Sequence, residues 1–227
     1  MLGRALILSV SKNRTGSDIE LKDATGSLQK LGFDVSEVVN PTKEEMESRL
    51  RQHRDASWSE HACSCVCVMG HGYMHGAIQH VNAADEQDVN VNDLYSMLSG
   101  SNAPSLKGKP KLWIVQACRG GGDRLTDLTD SYGLSDADST PRLSAESDQL
   151  HAYATVPDSP AYRGVFWRTF HGICQESVTK ARQANFVQLI ETVNQRMSIE
   201  GYKPPPLMST LRAELEVPLP SAVSLTL

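Results

Sequence analysis

A short apolar run that stops at a cysteine and then at glycines constrains this 227-residue chain more than any other stretch. In Lys111–Gly120, KLWIVQACRG, residues Leu112, Trp113, Ile114 and Val115 stand unbroken between Pro110 and Gly120. A strand half in water would alternate polar and apolar, so this one is expected to be covered on both faces, as in a parallel sheet. Gln116, Ala117 and Cys118 follow at its carboxyl end. Open parallel sheets assemble their sites at that end, because the strand fixes the backbone while the loop beyond it meets a ligand.

The upstream chain repeats the pattern. Ala5–Val10 is a buried first strand that ends at Ser11, Lys12 and Asn13, with Arg14 just beyond. Ser17 and Glu20 have capping-box spacing, and Leu21, Ala24, Leu28 and Leu31 follow at helical intervals up to Gly32. Phe33–Val39 is a second strand stopped by Asn40 and Pro41. Thr42 and Glu45 repeat the capping-box spacing before a mostly polar helix, and His61–Met69 is a third strand that leads into Gly70, His71 and Gly72. Strand, helix, strand, helix, strand predicts an α/β fold with a mainly parallel central sheet and helices on its faces. Arg14, His71, Gln116 and Cys118 all fall at or just past carboxyl ends of strands, which makes that rim the candidate site.

A short helix near Asn92–Leu98 and a run of turn residues, SGSNAPSLKGKP, precede the central strand. Beyond Cys118 the character changes. Gly120–Gln149 is rich in Gly, Asp, Ser and Thr, and is expected to be an exposed, mobile linker because it cannot bury enough surface to offset its ordering entropy. Seven acids against two arginines between Asp123 and Asp148 account for the whole net charge of -5. The remainder is balanced, without the basic stripe that a nucleic-acid backbone requires. Order resumes with a strand at Leu150–Val156, a helix bearing Phe166, Phe170 and Ile173, a second bearing Phe186, Leu189, Ile190, Val193 and Met197, and a final strand at Leu207–Val217.

Five cysteines, three of them at Cys63, Cys65 and Cys67, make a poor disulfide framework and point to a reducing setting, cytoplasmic or nuclear, with the cytoplasm expected. Alternation puts those three on one strand face, where thiols usually serve as small core hydrophobes, so no metal and no cofactor is assigned. No apolar run has the length of a membrane span. Taken singly, Cys118 and His71 are most simply packing residues. Together they suit a thiol nucleophile with an imidazole base, and the Cys118 and Gly72 amides suit an oxyanion site.

The pattern QACRG at Gln116–Gly120, with His71 lying 47 positions before Cys118, resembles the catalytic domain of the caspases. NRTGSD at Asn13–Asp18, GHG at Gly70–Gly72, YATVPDSPAYR at Tyr153–Arg163 and PLMSTLRAELEV at Pro206–Val217 extend the likeness over nearly the whole chain. The resemblance implies a caspase-like three-layer sandwich in one domain, 1–227. It divides that domain into a large-subunit region, 1–122, an acidic processing linker, 123–149, and a small-subunit region, 150–227. It implies a cysteine endopeptidase that cuts after aspartate, with Cys118 as nucleophile, His71 as acid and base, and the Lys12 carbonyl as third element. Arg14, Gln116 and Arg163 would line the aspartate pocket, a carboxylate socket that suits guanidinium forks. Tyr162 and Ala161 would shape neighbouring subsites.

The resemblance further implies activation by cleavage after Asp130, Asp138 or Asp148, with Asp130 first. The partners it implies are protein substrates with exposed Asp sites, a second copy in a homodimer, and other caspases or adaptors, with neither nucleic acid nor membrane. Cell-death signalling is the implied setting. Three departures stand out: the loop before Arg14 is short, Ala161 and Tyr162 replace the family's Ser and Trp, and the loops after Arg163 and at Ile199–Lys203 are short. These motivate an alternative, a catalytically weak regulator that pairs with an active relative. A third branch, cutting after Arg or Lys, needs an acidic pocket, and Arg14 and Arg163 argue against it.

Overall fold

The computed structural model describes residues 2–76, 78–118, 147–154, 164–180 and 183–218. Its centre is a six-stranded sheet. In chain order its strands are β1 (Gly3–Ser9), β2 (Phe33–Val39), β3 (Cys63–Met69), β7 (Lys111–Gln116), β8 (Gln149–Tyr153) and β10 (Leu207–Ser209). In space they run β10-β8-β7-β3-β1-β2, parallel throughout except that β10 pairs antiparallel with β8.

Alternation within these continuous apolar runs builds two cores. Ala5, Ile7, Cys63, Cys65, Cys67, Leu112 and Ile114 face one way, toward α1 (Ser17–Lys30), α4 (Val165–Lys180) and α5 (Phe186–Ile199). Leu6, Leu8, Val66, Val68, Trp113 and Val115 face the other, toward α2 (Lys43–Asp55) and α3 (Val91–Met97). The expected three-layer sandwich is the observed one. Each fully buried aliphatic side chain removes enough apolar area from water to contribute on the order of 2 kcal/mol, so the two-faced burial of β1, β3 and β7 concentrates hydrophobic stabilisation in the sheet's middle.

The Thr42 capping box is present in both halves: the Thr42 hydroxyl accepts from the Glu45 amide, and the Glu45 carboxylate accepts from the Thr42 amide. The one expected at Ser17 is absent. Gly16 caps α1 in the left-handed region at φ 84°, without a side-chain bond, and Glu20 is committed elsewhere. A second difference is the antiparallel sheet β4 (Gly72–His75), β5 (Ile78–Asn82) and β6 (Asp88–Asn90), which fills the stretch between β3 and α3. The third concerns the final strand. It is two strands, because β8 begins at Gln149 and offers no partner beyond Thr210. The chain then crosses to pair β11 (Glu216–Pro218) with β9 (Gln183–Asn185).

Candidate active site

β3 and β7 are hydrogen-bonded neighbours whose register sets Met69 beside Gln116, and the Gly70 amide donates to the Gln116 carbonyl at 3.0 Å. One residue further on each chain come His71 and Ala117, then Gly72 and Cys118, at the carboxyl rim. A Cβ on Gly72 would lie 2.4 Å from the His80 carbonyl oxygen, 2.8 Å from the Ala117 Cβ and 3.3 Å from the Cys118 carbonyl oxygen. Only glycine permits this approach. The imidazole-bearing loop is thereby pressed against the cysteine-bearing one.

The five cysteines are all unpaired, and Cys118 alone among them is partly exposed. Burial pushes the Cys63 thiol well above the ordinary range, the hydrogen bond with Cys67 and then burial do the same to Cys65, and burial pushes Cys174 up to about 12. These stay protonated and inert and Cys67 is fully buried, so the thiol available for chemistry is Cys118.

His71 Nε2 lies 3.2 Å from the Asn13 carbonyl oxygen. A carbonyl only accepts, so Nε2 carries the proton and Nδ1 is left as the basic nitrogen. The sequence reading gave this place to the Lys12 carbonyl, and the structure corrects it. The short loop turns one residue later, at Asn13, whose φ of 56° is a left-handed conformation that asparagine tolerates better than most residues. Lys12 instead reaches outward, its Nζ donating to Glu86 at 2.6 Å. An asparagine in a tight loop directly before Arg14 was the available signal.

Arg14 is buried, and its guanidinium donates to the Val10 carbonyl at 3.1 Å and to the Glu20 carboxylate at 2.7 Å. Gln116 Nε2 donates to the other oxygen of Glu20 at 2.9 Å, and the Gly164 amide to that same oxygen at 2.6 Å. Arg14 and Gln116 are thus gathered as expected, around a carboxylate the sequence reading had spent on a helix cap. Nothing in the capping-box spacing distinguishes the two uses.

Arg163, Tyr162 and Ala161 lie outside the described residues, as do Asp130 and Asp138. Asp148 is described, and its surroundings argue against cleavage after it. Its carbonyl accepts from the Lys111 amide at 2.8 Å, its amide donates to the Thr210 carbonyl at 3.1 Å, and its carboxylate is held by both Nε and Nη2 of Arg212 at 2.8 and 2.6 Å. A bond set into the sheet is closed to a peptidase, which needs an extended, free segment.

Among the described residues no three His, Cys, Asp or Glu side chains gather as metal ligands, and no helix is long and apolar enough to cross a membrane.

A parallel α/β sandwich carrying a cysteine and a carbonyl-oriented histidine on adjacent strand ends defines a cysteine-peptidase type of site. Residues 2–216 match the family model described as the caspase domain, and the chain belongs to the caspase family. It is 29% identical to human caspase-14 over 236 residues, covering 93% of this chain and 91% of that one. It is 25% identical to caspase drICE of Drosophila melanogaster, covering 91% of this chain and 61% of that one. Human inactive caspase-12 is 36% identical over 135 residues, 58% of this chain and 39% of that one.

Proposed function

We propose that the chain is a cysteine endopeptidase that cuts after aspartate. Cys118 gives its proton to His71 Nδ1 and attacks the scissile carbonyl. The Cys118 and Gly72 amides then meet the oxyanion, and His71 returns the proton to the leaving amine. Water hydrolyses the thioester, with His71 again as base. The observation that carries this reading is the Asn13 carbonyl on His71 Nε2, which fixes the tautomer that a general base needs. Arg14 and Gln116, with Arg163, would receive the substrate carboxylate.

Activation by linker cleavage at Asp130 or Asp138 belongs to the same reading, Asp130 first because DLTD followed by Ser131 is itself a four-residue substrate. So does pairing of two copies along the edge strand β10, where Met208 is exposed, and a role in cytoplasmic, cell-death-type signalling. The test is hydrolysis of a fluorogenic tetrapeptide ending in Asp. Activity lost in Cys118→Ala supports the enzyme, and equal rates in both overturn it.

One observation favours a second reading, the weak regulator: Glu20 already engages Arg14 and Gln116. Thiol alkylation at a rate insensitive to His71→Ala, with no peptide turnover, would favour that reading.

A further inference from the structure

Three neighbouring strand ends, those of β2, β1 and β3, set the surroundings of His71. β3 runs into His71 itself, β1 into the loop that holds Asn13, and β2, the outer strand of the sheet, into Asn40. Asn40 is exposed and has no part in the chemistry described above. Resting on the proposed function, we infer that Asn40 is a positioning residue for His71, bracing the loop whose Asn13 carbonyl sets the imidazole's tautomer.

The connection runs bond by bond. The Asn40 amide donates to the Ser9 carbonyl at 2.8 Å and so extends the β1–β2 ladder by one residue. Where the ladder stops, the Asn40 side chain continues it: Oδ1 accepts from the Ser11 amide at 2.8 Å and from the Ser11 hydroxyl at 2.9 Å. A backbone N–H only donates, so the oxygen of the Asn40 amide is the atom that faces Ser11. The Ser11 carbonyl in turn accepts from the Arg14 amide at 2.9 Å, closing a turn with Lys12 and Asn13 in its middle. That turn presents the Asn13 carbonyl to His71 Nε2 at 3.2 Å.

Buried Arg14 anchors the far end of the turn, and Asn40 anchors the near end. Asn40 is itself firmly placed: the carbonyl of buried Pro41 accepts from the Ala84 amide at 2.9 Å, and Thr42 caps α2. The other tie on this loop, Lys12 to Glu86, joins side chains 50% and 74% exposed, where water and salt weaken it. At 3.2 Å the bond from His71 to Asn13 already stands at the long end of the N–H···O range, so a further shift of about 0.5 Å removes it. The two bonds to Ser11 are exposed, so water replaces them at little cost in stability. Loss of the brace should therefore be read in His71 and in kcat, with Tm nearly unchanged.

The φ of 54° at Asn40 would by itself favour asparagine there, and three variants of the full chain separate that explanation from the brace. Asn40→Gly keeps the left-handed backbone, and so the fold, while removing the acceptor. Asn40→Asp keeps both. Ser11→Ala removes the hydroxyl bond alone. With isotope-labelled histidine at about pH 8.5, above the ordinary imidazole range, long-range proton–nitrogen spectra report which His71 nitrogen carries the proton, assigned against His71→Gln. Hydrolysis of a tetrapeptide ending in Asp is resolved into kcat and KM.

The expected result is an Nε2–H signal for His71 in the wild type and Asn40→Asp, and a growing Nδ1–H population in Asn40→Gly. In step with it, kcat should fall roughly tenfold in Asn40→Gly and roughly threefold in Ser11→Ala, and stay within about twofold in Asn40→Asp, with KM within about twofold throughout. A His71 signal unchanged in Asn40→Gly, an active wild type whose kcat that variant matches within twofold, or an Asn40→Asp that falls as far as Asn40→Gly would overturn the assignment. So would a wild type with the His71 proton on Nδ1. A wild type that turns over no peptide, yet whose His71 signal changes in Asn40→Gly and is kept in Asn40→Asp, would refute the protease reading alone.

Discussion

Replacing Gly72 by alanine tests the close approach on which the site depends. The added Cβ would sit 2.4 Å from the His80 carbonyl oxygen and 2.8 Å from the Ala117 Cβ. Ordinary separations are about 3.4 Å or more, so Gly72 must move by about 1 Å from the His80 carbonyl and about 0.6 Å from Ala117. Both neighbours are held, the His80 carbonyl by the β4–β5 ladder and Ala117 by the buried end of β7, so the strain is shared rather than relieved. Overpacking of this kind costs roughly 1–3 kcal/mol, or about 2–4 °C in Tm per kcal/mol for a chain of this size. Displacing an oxyanion donor by 1 Å costs about 100-fold in kcat. Thermal unfolding and peptide hydrolysis, measured on the same preparation, should show a modest loss of stability and a much larger loss of kcat. A Gly72→Ala protein that hydrolyses within threefold of the wild type would refute the claim that this rim is the oxyanion site.

A control comes from Gly172 in α4, whose added Cβ meets nothing within 4 Å. Gly172→Ala should raise stability by roughly 0.4–1 kcal/mol in a urea titration and leave hydrolysis unchanged. At Asn13, Asn13→Gly keeps the left-handed turn and should retain kcat, Asn13→Val should lower it at least tenfold, and Lys12→Ala should leave it within twofold. A fall in kcat for Lys12→Ala would restore the discarded carbonyl. His53 and His151 are half-buried, and loss of solvation depresses both imidazoles to about 4, with Arg4 adding to the effect at His53. Their neutral forms therefore support the fold fully above pH 6.5, and that support is lost as pH falls toward 4, on the order of 3 kcal/mol each. Urea midpoints at pH 7, 5.5 and 4 should drop accordingly and drop less in His151→Gln. Asp148 is held below the usual carboxylate range by its hydrogen bonds to Arg212. Its contribution is present above about pH 3.9 and is lost below it, a limb that Asp148→Asn should lack in acid titration.

Periodicity carried most of the scaffold because burial and sequence agree there. The unbroken apolar runs of β1, β3 and β7 alternate between two cores, which is what a strand covered on both faces must do. β4, β5 and β6 were less legible, being short and mixed, with Gly72, His75 and Gln79 among residues that look like loop. Leu207–Val217 read as one strand because hydrophobicity records burial and not partner, and the partner changes at Thr210. In the site, Cys118 and His71 were visible through motif and strand end. Glu20 was not, because Ser17 three residues before it offered a local explanation that was sufficient and wrong. Spacing rules see only the nearest turn, whereas Glu20 bonds to Gln116, 96 positions away.

The same sheet explains how a chain severed in its linker would remain one body. β7 and β8 lie on either side of the linker, yet they pair in parallel over Lys111–Val115 and Gln149–Tyr153. β8 is fixed at its start by the Asp148 carbonyl on the Lys111 amide and by the Arg212 fork on the Asp148 carboxylate. Residues on both sides also share one core: Leu112 and Ile114 with Leu150, Ala152, Phe166 and Phe170. Cleavage at Asp130 or Asp138 removes the covalent tie but none of these contacts. Cleavage after Asp148 would cut through the anchor itself. The two halves should therefore elute together after processing at the first two sites. A chain cut there that separates on size-exclusion chromatography without denaturant would show that the sheet does not hold the two regions together.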